Sequence, residues 1–418
     1  MHVWIMEIGE PLPGVDRGVR DWRCGMLSRA IVAHGHKVTW WASTFDHVTK
    51  RHRFDGPCTI ETLPGLQINL LHGPGYGQNN SPKRLLHHRA VAAAFARESV
   101  VSSKPDVVFC CLPTLELAEQ AVVYQESVGV PAVIDVRDLW PDHYLTLVPQ
   151  ELRGVFKLVL ASEFRRVCRV LKGATGITAI SNTSLAWALK YASRERGVFD
   201  GVFPMGYPAK ASSAEVVAKQ DELISRHKLR PDDLIVSFVG SFCSSYDLKT
   251  VIEAMRVLDQ ATQHGIRFVI VGDGDGGSEL RALAQGLTNV VFTGWLDQIS
   301  IMAVLGMSAV GLAPYRDNAS MTLPNKPYEY MAAGLPILSS LHGELEVLIR
   351  DEQIGLQYQA GDVASLLSRL QWFAVNVEKR KAMGLRARKL FEERFSAEIV
   401  YPRLVWHLEK IVDQPVLG

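Results

Sequence analysis

Paired cysteines are missing. The six cysteines (Cys24, Cys58, Cys110, Cys111, Cys168 and Cys243) form no Cys-x-x-Cys pair and no zinc-ligand spacing, so neither a zinc ribbon nor a dithiol redox motif is written here. Cys110 and Cys111 are adjacent in an apolar run, where neighbouring side chains of a strand point to opposite faces. Reduced thiols in a cytoplasmic protein are the expectation. No apolar stretch approaches the roughly 18 residues of a membrane span. A strand-like segment starts within two residues of Met1, which predicts no cleaved leader. An excess of one charge sign is missing as well. Against 45 Lys and Arg stand 44 Asp and Glu, a net charge of +1, which excludes a pervasively basic nucleic-acid binder. Low-complexity tracts and short-period repeats are absent, and with 47% hydrophobic and 21% charged residues the composition is that of a folded globular protein.

The chain is 418 residues long, and at about 150 residues per domain it needs two or three cores. Short β-rich runs alternate with helix-length amphipathic segments from end to end. Strands are expected at 2–8, 37–42, 66–71, 106–111, 131–136 and 176–180, then at 234–240, 267–271, 290–293, 308–313, 336–339 and 355–358. Helices are expected at 19–34, 83–103, 150–172, 247–264, 277–286, 362–373, 376–391 and 396–413. Such alternation predicts βαβ units and parallel sheets, and continuously apolar strands such as 107–111 fit sheets covered on both faces. The series breaks once, where Pro204 and Pro208 flank Gly206, a turn signal. The expected organisation is α/β, with Rossmann-like doubly wound domains at 1–205 and 206–395 and a terminal helix at 396–418 that packs back on the first domain. In such sheets ligands bind outside the carboxyl ends of the strands, so chemistry is to be sought in loops that follow strands.

Four such loops stand out. The first runs from Gly9 to Arg23, with Gly14 and Gly18 freeing the backbone and Arg17, Arg20 and Arg23 adding charge before a helix expected near Val19, a combination suited to an anion or to a solvated surface loop. The second, Ile134 to Asp142, crowds Asp135, Arg137, Asp138 and Asp142 at a strand exit, where charges are either paired or functional. The third, Phe268 to Gly277, has the look of a dinucleotide fingerprint, but the strand that follows it, 289–294, carries no acid at its end to hold a ribose hydroxyl. That argues against NAD. The Asp273 and Asp275 within it suit a turn rather than a metal. The fourth, Pro314 to Ile337, leads into a helix expected near Asn325 and Pro327, with Glu329 in its opening turns. A carboxylate there can cap the helix or accept both hydroxyls of a ribose.

Taken together, Gly35-His-Lys-Val38, Arg137-Asp-Leu-Trp-Pro141, Gly272-Asp-Gly274, Val291-Phe-Thr-Gly294, Asn325-Lys-Pro-Tyr-Glu-Tyr-Met-Ala-Ala-Gly334 and Gly343-Glu344 resemble the retaining GT-B glycosyltransferases of family 4. The nearer likeness is to the branch that builds O-antigen and capsule, including N-acetyl-fucosamine transferases. The resemblance implies two facing domains with a cleft between them, the first binding the acceptor and the second a nucleotide-sugar donor, with a UDP-sugar favoured. It implies that Glu329 binds the donor ribose, that the loop Ser320-Met321-Thr322 offers backbone amides to the diphosphate, and that Trp295 and Leu296 border the base. Gly240, Ser241, Gly272, Gly274 and Lys326 belong to the same donor site, and Gly14, Arg17, Gly18 and Arg20 to a phosphate or acceptor loop. Arg137 and Asp138 are the expected catalytic residues.

Three departures from the family pattern bear on mechanism. Met321 stands eight residues before Glu329, where the family has a second glutamate. Ser241 and Tyr246 stand where it has an arginine and a lysine after the first strand of the second domain. Arg137-Asp138 replaces a His-Asp pair. The diphosphate is then expected to rely on backbone amides, Lys326, Lys249 and arginines of the first domain, with no metal and no cofactor. A GT-B 2-epimerase and a non-catalytic sugar-nucleotide-binding subunit are the alternatives. Residues 1–200 hold 23 basic against 19 acidic side chains, and the segments 83–97 and 153–172 are basic. This predicts peripheral, salt-sensitive binding to an anionic inner-membrane surface and suits a polyprenyl-diphosphate-linked glycan. Most apolar residues of 153–172 are expected to face the sheet.

Overall fold

The computed structural model describes residues 1–16, 19–79, 81–146, 148–209, 213–261, 265–274, 276–319, 321 and 323–414. Arg17, Gly18, Asp275, Ser320 and Thr322 lie outside the described residues. The chain divides into two compact units, one of residues Met1–Met205 together with the stretch from Val400 onward, the other of Gly206–Ile399.

Among its described residues unit 1 contains ten strands: β1 (His2–Met6), β2 (Lys37–Ser43), β3 (Phe45–Asp46), β4 (Arg51–His52), β5 (Cys58–Leu63), β6 (Leu66–Leu71), β7 (Val107–Leu112), β8 (Ala132–Val136), β9 (Gly176–Ala179) and β10 (Gly201–Val202). Its helices are α1 (Arg23–Ala33), α2 (Pro82–Glu98), α3 (Leu115–Val128), α4 (Asp142–Thr146), α5 (Arg153–Val159), α6 (Ala161–Gly173) and α7 (Asn182–Ala192). Eight strands form one sheet in the order β10-β9-β8-β7-β1-β2-β6-β5. Every pairing is parallel except β5 with β6, and β3 and β4 form a separate antiparallel hairpin. The middle strands are buried along their whole length because helices cover both faces. Cys110 joins the core around Trp4, Trp41 and Phe95, whereas Cys111 faces Cys24 of α1 from the opposite side of the strand, as the alternation of strand side chains requires. Trp4, Trp41 and Phe95 meet edge to face at centroid distances of 5.1 to 5.9 Å, a favoured aromatic arrangement.

Unit 2 contains β11 (Leu234–Val239), β12 (Ile266–Val271), β13 (Val290–Gly294), β14 (Val310–Ala313), β15 (Ile337–Ser339) and β16 (Gly355–Gln357). These form one parallel sheet in the order β13-β12-β11-β14-β15-β16. Its helices are α8 (Ala214–His227), α9 (Leu248–Gln260), α10 (Gly277–Leu283), α11 (Gln298–Met307), α12 (Asn325–Ala332), α13 (Glu344–Asp351), α14 (Val363–Val375) and α15 (Val377–Leu390). A last helix, α16 (Ala397–Asp413), starts in unit 2 and from Val400 onward belongs to unit 1. There Tyr401 Oη donates to Met205 O, His407 Nε2 meets Phe199 O at 3.1 Å, and Glu409 pairs with His36 at 2.7 Å. Two doubly wound parallel-sheet units are the α/β architecture the alternation predicted.

One expected helix is not continuous. Residues 150–172 fold as a short 3₁₀ turn, then α5, then α6, with the break at Leu160. Phe164, Val167, Val170 and Leu171 of α6 are buried as expected. In α5 nothing is buried, and Val155, Leu158 and Val159 are 63%, 76% and 69% exposed. The expectation that most apolar residues of this segment face the sheet is corrected, because the break turns the face of α5 to solvent.

Candidate functional site

In unit 2 the polar residues gather where β11 and β12 end. Three exit loops are joined by backbone hydrogen bonds: Gly240 N–H to Val271 O (2.9 Å), Phe242 N–H to Asp273 O (3.0 Å) and Gly272 N–H to Gly294 O (2.9 Å). This close approach explains two glycines of the motif. A Cβ on Gly272 would lie 2.2 Å from Gly240 O, and one on Gly274 2.6 Å from Phe242 O. Both also have positive φ, 123° and 155°, which side chains disfavour. The protein's own backbone therefore requires these glycines.

Gly240 has a different reason. A Cβ there would sit 1.8 Å from Lys326 Nζ, so the missing side chain is the space the ammonium fills. Lys326, the second residue of α12, is 7% exposed, and lysines are almost never so buried unless paired. Its Nζ donates to Val239 O and lies 4.5 Å and 4.4 Å from the ring centroids of Phe238 and Tyr246, a cation–π cage. Burial pushes the Lys326 pKa down to about 8, against the opposing pull of Glu329. Half-buried Glu329 lies three residues further along α12, on the same helix face. The helix is fixed by buried Tyr330, whose hydroxyl donates to Leu312 O at 2.8 Å and accepts from Val239 N–H at 3.4 Å, tying α12 to β11 and β14. Gly240, Lys326 and Glu329 thus converge. Ser241 is exposed and Met321 half-buried. Trp295, 76% exposed, and Leu296 follow the edge strand β13, two strands away from β11. Tyr246, noted in the sequence only as a missing cation, proves to be one wall of the cage that holds one.

In unit 1 the charged residues after β1 and β8 form a buried network. Asp135 in β8 takes a two-pronged ion pair from Arg23 (2.8 and 2.9 Å), a hydrogen bond from Thr178 Oγ1 (2.7 Å) and another from Arg137 Nε (2.9 Å). Burial alone would raise the Asp135 carboxyl, but Arg23 and Arg137 outweigh it and hold the pKa at about 2. Arg23 Nη1 donates to Phe203 O (2.9 Å) and Pro204 O (2.8 Å), so its expected contribution of charge to a phosphate loop is corrected: it is fully buried. The helix expected near Val19 begins at Arg23 instead. Arg137 also donates to Glu10 and to Cys24 Sγ and Cys111 Sγ at 3.0 and 2.8 Å, which commits its guanidinium to internal partners. Asp138 is exposed, as is Gly14, and Arg20 is half-buried. Asp142 accepts from Trp187 Nε1 and Tyr191 Oη, each at 2.7 Å, which anchors the loop.

Two carboxylates of this network escaped the sequence reading. Glu10 is buried against Arg137 and the Cys24 N–H (2.8 Å). Glu7, at the exit of β1, is buried with Arg137 3.9 Å away and accepts from Gly9 N–H at 2.6 Å. Burial, against the attraction of Arg137, pushes the Glu7 carboxyl up to about 7. The available signal was an acid directly after an apolar strand.

With this geometry in place, the likenesses become interpretable. Residues 233–375 match the family described as Glycosyl transferases group 1, and that stretch contains β11 to β16 with Lys326 and Glu329. The chain is similar to the amylovoran biosynthesis glycosyltransferase AmsK of Erwinia amylovora, 29% identical over 217 residues. That match covers 50% of this chain and 53% of AmsK, so the chain spans about half the length of this curated relative. Among solved structures, the sucrose-phosphate synthase of Thermosynechococcus elongatus superposes with a TM-score of 0.73 at 17% identity, covering 98% of both chains. Anabaena Alr3699/HepE in complex with UDP-glucose superposes with a TM-score of 0.64 at 13% identity, covering 98% of this chain and 99% of that one. At these identities the superpositions speak for the fold, and the family match speaks for the stretch that carries Lys326 and Glu329. The superpositions show the GT-B fold, and residues 233–375 are similar to the glycosyltransferase group 1 domain.

Proposed function

We propose that the protein is a glycosyltransferase that moves a sugar, with retention, from a UDP-sugar to a glycan acceptor in surface polysaccharide biosynthesis. The observation that carries this is the pairing of a buried, caged ammonium, Lys326, with a half-buried carboxylate, Glu329, on one face of α12 at the exit of β11. Glu329 accepts the ribose hydroxyls of the donor. Lys326 meets the diphosphate, whose charge grows as the anomeric C–O bond breaks, and a preorganised cation in a site shielded from water is worth far more than one in solution. With Tyr246 and Ser241 at the positions of the family's charged pair, the cation comes from α12 instead. The AmsK likeness supports a polysaccharide product, and the UDP-glucose bound to HepE supports the choice of uridine. In unit 1 we read the Arg137 network as holding the loop that presents Asp138 to the acceptor, which we take to be a polyprenyl-diphosphate-linked glycan at the inner leaflet.

A thermal-shift panel of UDP, GDP, TDP, CMP and ADP tests the donor assignment, since a ligand that binds only the folded state raises its apparent stability. UDP is expected to give the largest shift. Glu329→Ala is expected to keep the fold and weaken UDP in calorimetry by one to two orders of magnitude, since each hydrogen bond to a charged group is worth about 1.5–3 kcal/mol at most. Unchanged affinity in that variant would overturn the placement of the donor. Incubation of the donor alone separates transfer from epimerisation.

A further inference from the structure

The turn of the β3–β4 hairpin and the start of α2 concentrate positive charge around one aromatic ring in unit 1. Lys50 adopts a left-handed backbone conformation (φ 59°) in that turn, and its Nζ lies 4.8 Å from the centroid of the Tyr76 ring. Arg84 brings its guanidinium carbon to 6.0 Å from the same ring. Both cations use one neutral residue as acceptor, Lys50 donating to Asn79 Oδ1 and Arg84 to Asn79 O at 3.2 Å. The Arg84 Nε is buried and finds no acceptor among the described residues. His47 Nδ1 lies 2.5 Å from Tyr76 Oη, and burial first, then Lys50 and Arg84, push its pKa down to about 4.

The nearby carboxylates are already engaged. Asp46 accepts from Val48 N–H (2.8 Å) and Thr49 Oγ1 (2.7 Å) and faces Arg53 at 3.5 Å. Glu116 has His88 at 3.6 Å and Arg166 at 3.2 Å. The first turn of α2 contains no acid but does contain Lys83 and Arg84, the reverse of what the positive end of a helix dipole favours. Asp46 attracts Lys50 and His47 but is shared with Arg53, so the half-buried cations still repel one another, and an arriving anion offsets that cost. A guanidinium fork with an adjacent ammonium matches the several oxygens and double charge of a phosphoryl group.

We propose that Lys50, Arg84, His47 and Tyr76 form a binding site for a phosphoryl group in unit 1. For a lipid-linked diphosphate the proposal rests on the acceptor reading above and gives its phosphates a site, and for a soluble phosphorylated ligand it goes beyond that reading. The ligand is either a soluble phosphorylated molecule or a lipid-linked diphosphate.

Calorimetry of the full chain with inorganic pyrophosphate tests it. Lys50→Gln/Arg84→Gln is expected to weaken binding at least tenfold. Lys219→Gln/Arg226→Gln, which removes the same charge beside Glu222 on α8, is expected to leave it unchanged. Equal affinity in the two double variants overturns the site. Arg84→Lys keeps the charge but loses the fork and is expected to bind with intermediate affinity. Should the first double variant fail to fold, wild-type affinity in Arg84→Lys overturns the site instead. Farnesyl diphosphate as a second probe separates the sources. Binding lost in the same variants assigns a lipid-linked ligand, whereas pyrophosphate binding without farnesyl diphosphate binding assigns a soluble one. Loss of UDP binding in Glu329→Ala with pyrophosphate binding intact would bear on the donor reading alone.

Discussion

Two buried residues carry pH-dependent consequences. Lys326 has a pKa of about 8 in its cage, and a diphosphate beside it raises that value. Binding above pH 8 must then take up a proton, so UDP affinity is expected to be flat below pH 8 and to fall, by up to about tenfold per pH unit, as pH rises to 9. Lys326→Arg stays charged throughout and should remove the slope. Calorimetry at pH 7 and 9 decides it, and equal wild-type affinities would show that the ammonium does not meet the ligand. Glu7 is shifted in the opposite direction. Its folded pKa of about 7 exceeds the ordinary 4.5, so the folded state holds the extra proton between these values. That stabilisation is complete below pH 4.5 and lost as pH rises through 7. Glu7→Gln is expected to match wild type in denaturant melts at pH 4.5 and to exceed it at pH 8 by at most about 3 kcal/mol. The contrast between these residues explains what could be read from sequence. Lys326 and Glu329 share eight residues of one helix and were legible in a local motif. The partners that define the unit 1 network lie far apart, Arg23 and Asp135 by 112 positions and Arg137 and Glu10 by 127, so no local pattern announces them.

At the level of elements, the sheet strands with continuous apolar runs were the legible part, because burial on both faces leaves no other composition. The short polar pairs β3–β4 and the antiparallel β5 were not. Two-residue strands carry no period, and β5 alternates half-buried with exposed residues through much of its length at the edge of the sheet. The break at Leu160 was equally hidden, since an apolar and basic segment reads the same whether its apolar face meets a sheet or solvent. Arg23 shows what one residue does for several elements. It opens α1, pairs with Asp135 of β8 and donates to the carbonyls of Phe203 and Pro204 just after β10. Removing one partner of a buried pair leaves the other charge uncompensated and typically costs about 3–5 kcal/mol. Arg23→Met is therefore expected to destabilise unit 1 by that amount and to leave the unfolding of unit 2 unchanged, as followed by urea titration with unit-specific tryptophan fluorescence. A loss below about 1 kcal/mol would mean that Asp135 is compensated by Arg137 alone.

Across the whole molecule, the return of the terminal helix to the first domain, expected from the sequence, rests on contacts such as Glu409 with His36, 373 positions apart. The charge bias is likewise visible in the sequence and acquires a location in the structure. Among the described residues no helix is long and apolar enough to cross a membrane. Unit 1 nonetheless presents Leu152, Val155, Leu158 and Val159 to solvent beside Arg153 and Lys157. Exposed apolar residues rimmed by cations suit an anionic bilayer surface, where the apolar face enters the headgroup region and each basic residue adds about 1 kcal/mol. The attraction is screened within about 10 Å at 0.1 M salt, so binding should be strong in low salt and weak in high salt. The protein is expected to float with phosphatidylglycerol vesicles in low salt and to stay at the bottom with phosphatidylcholine. Val155→Glu/Leu158→Glu replaces only exposed side chains, so its melting temperature should match wild type while flotation is lost. If that variant still floats, α5 is not the contact. If the wild type fails to float with anionic vesicles, the membrane proposal fails, whereas the donor site on α12 and the phosphoryl site around Tyr76 are unaffected.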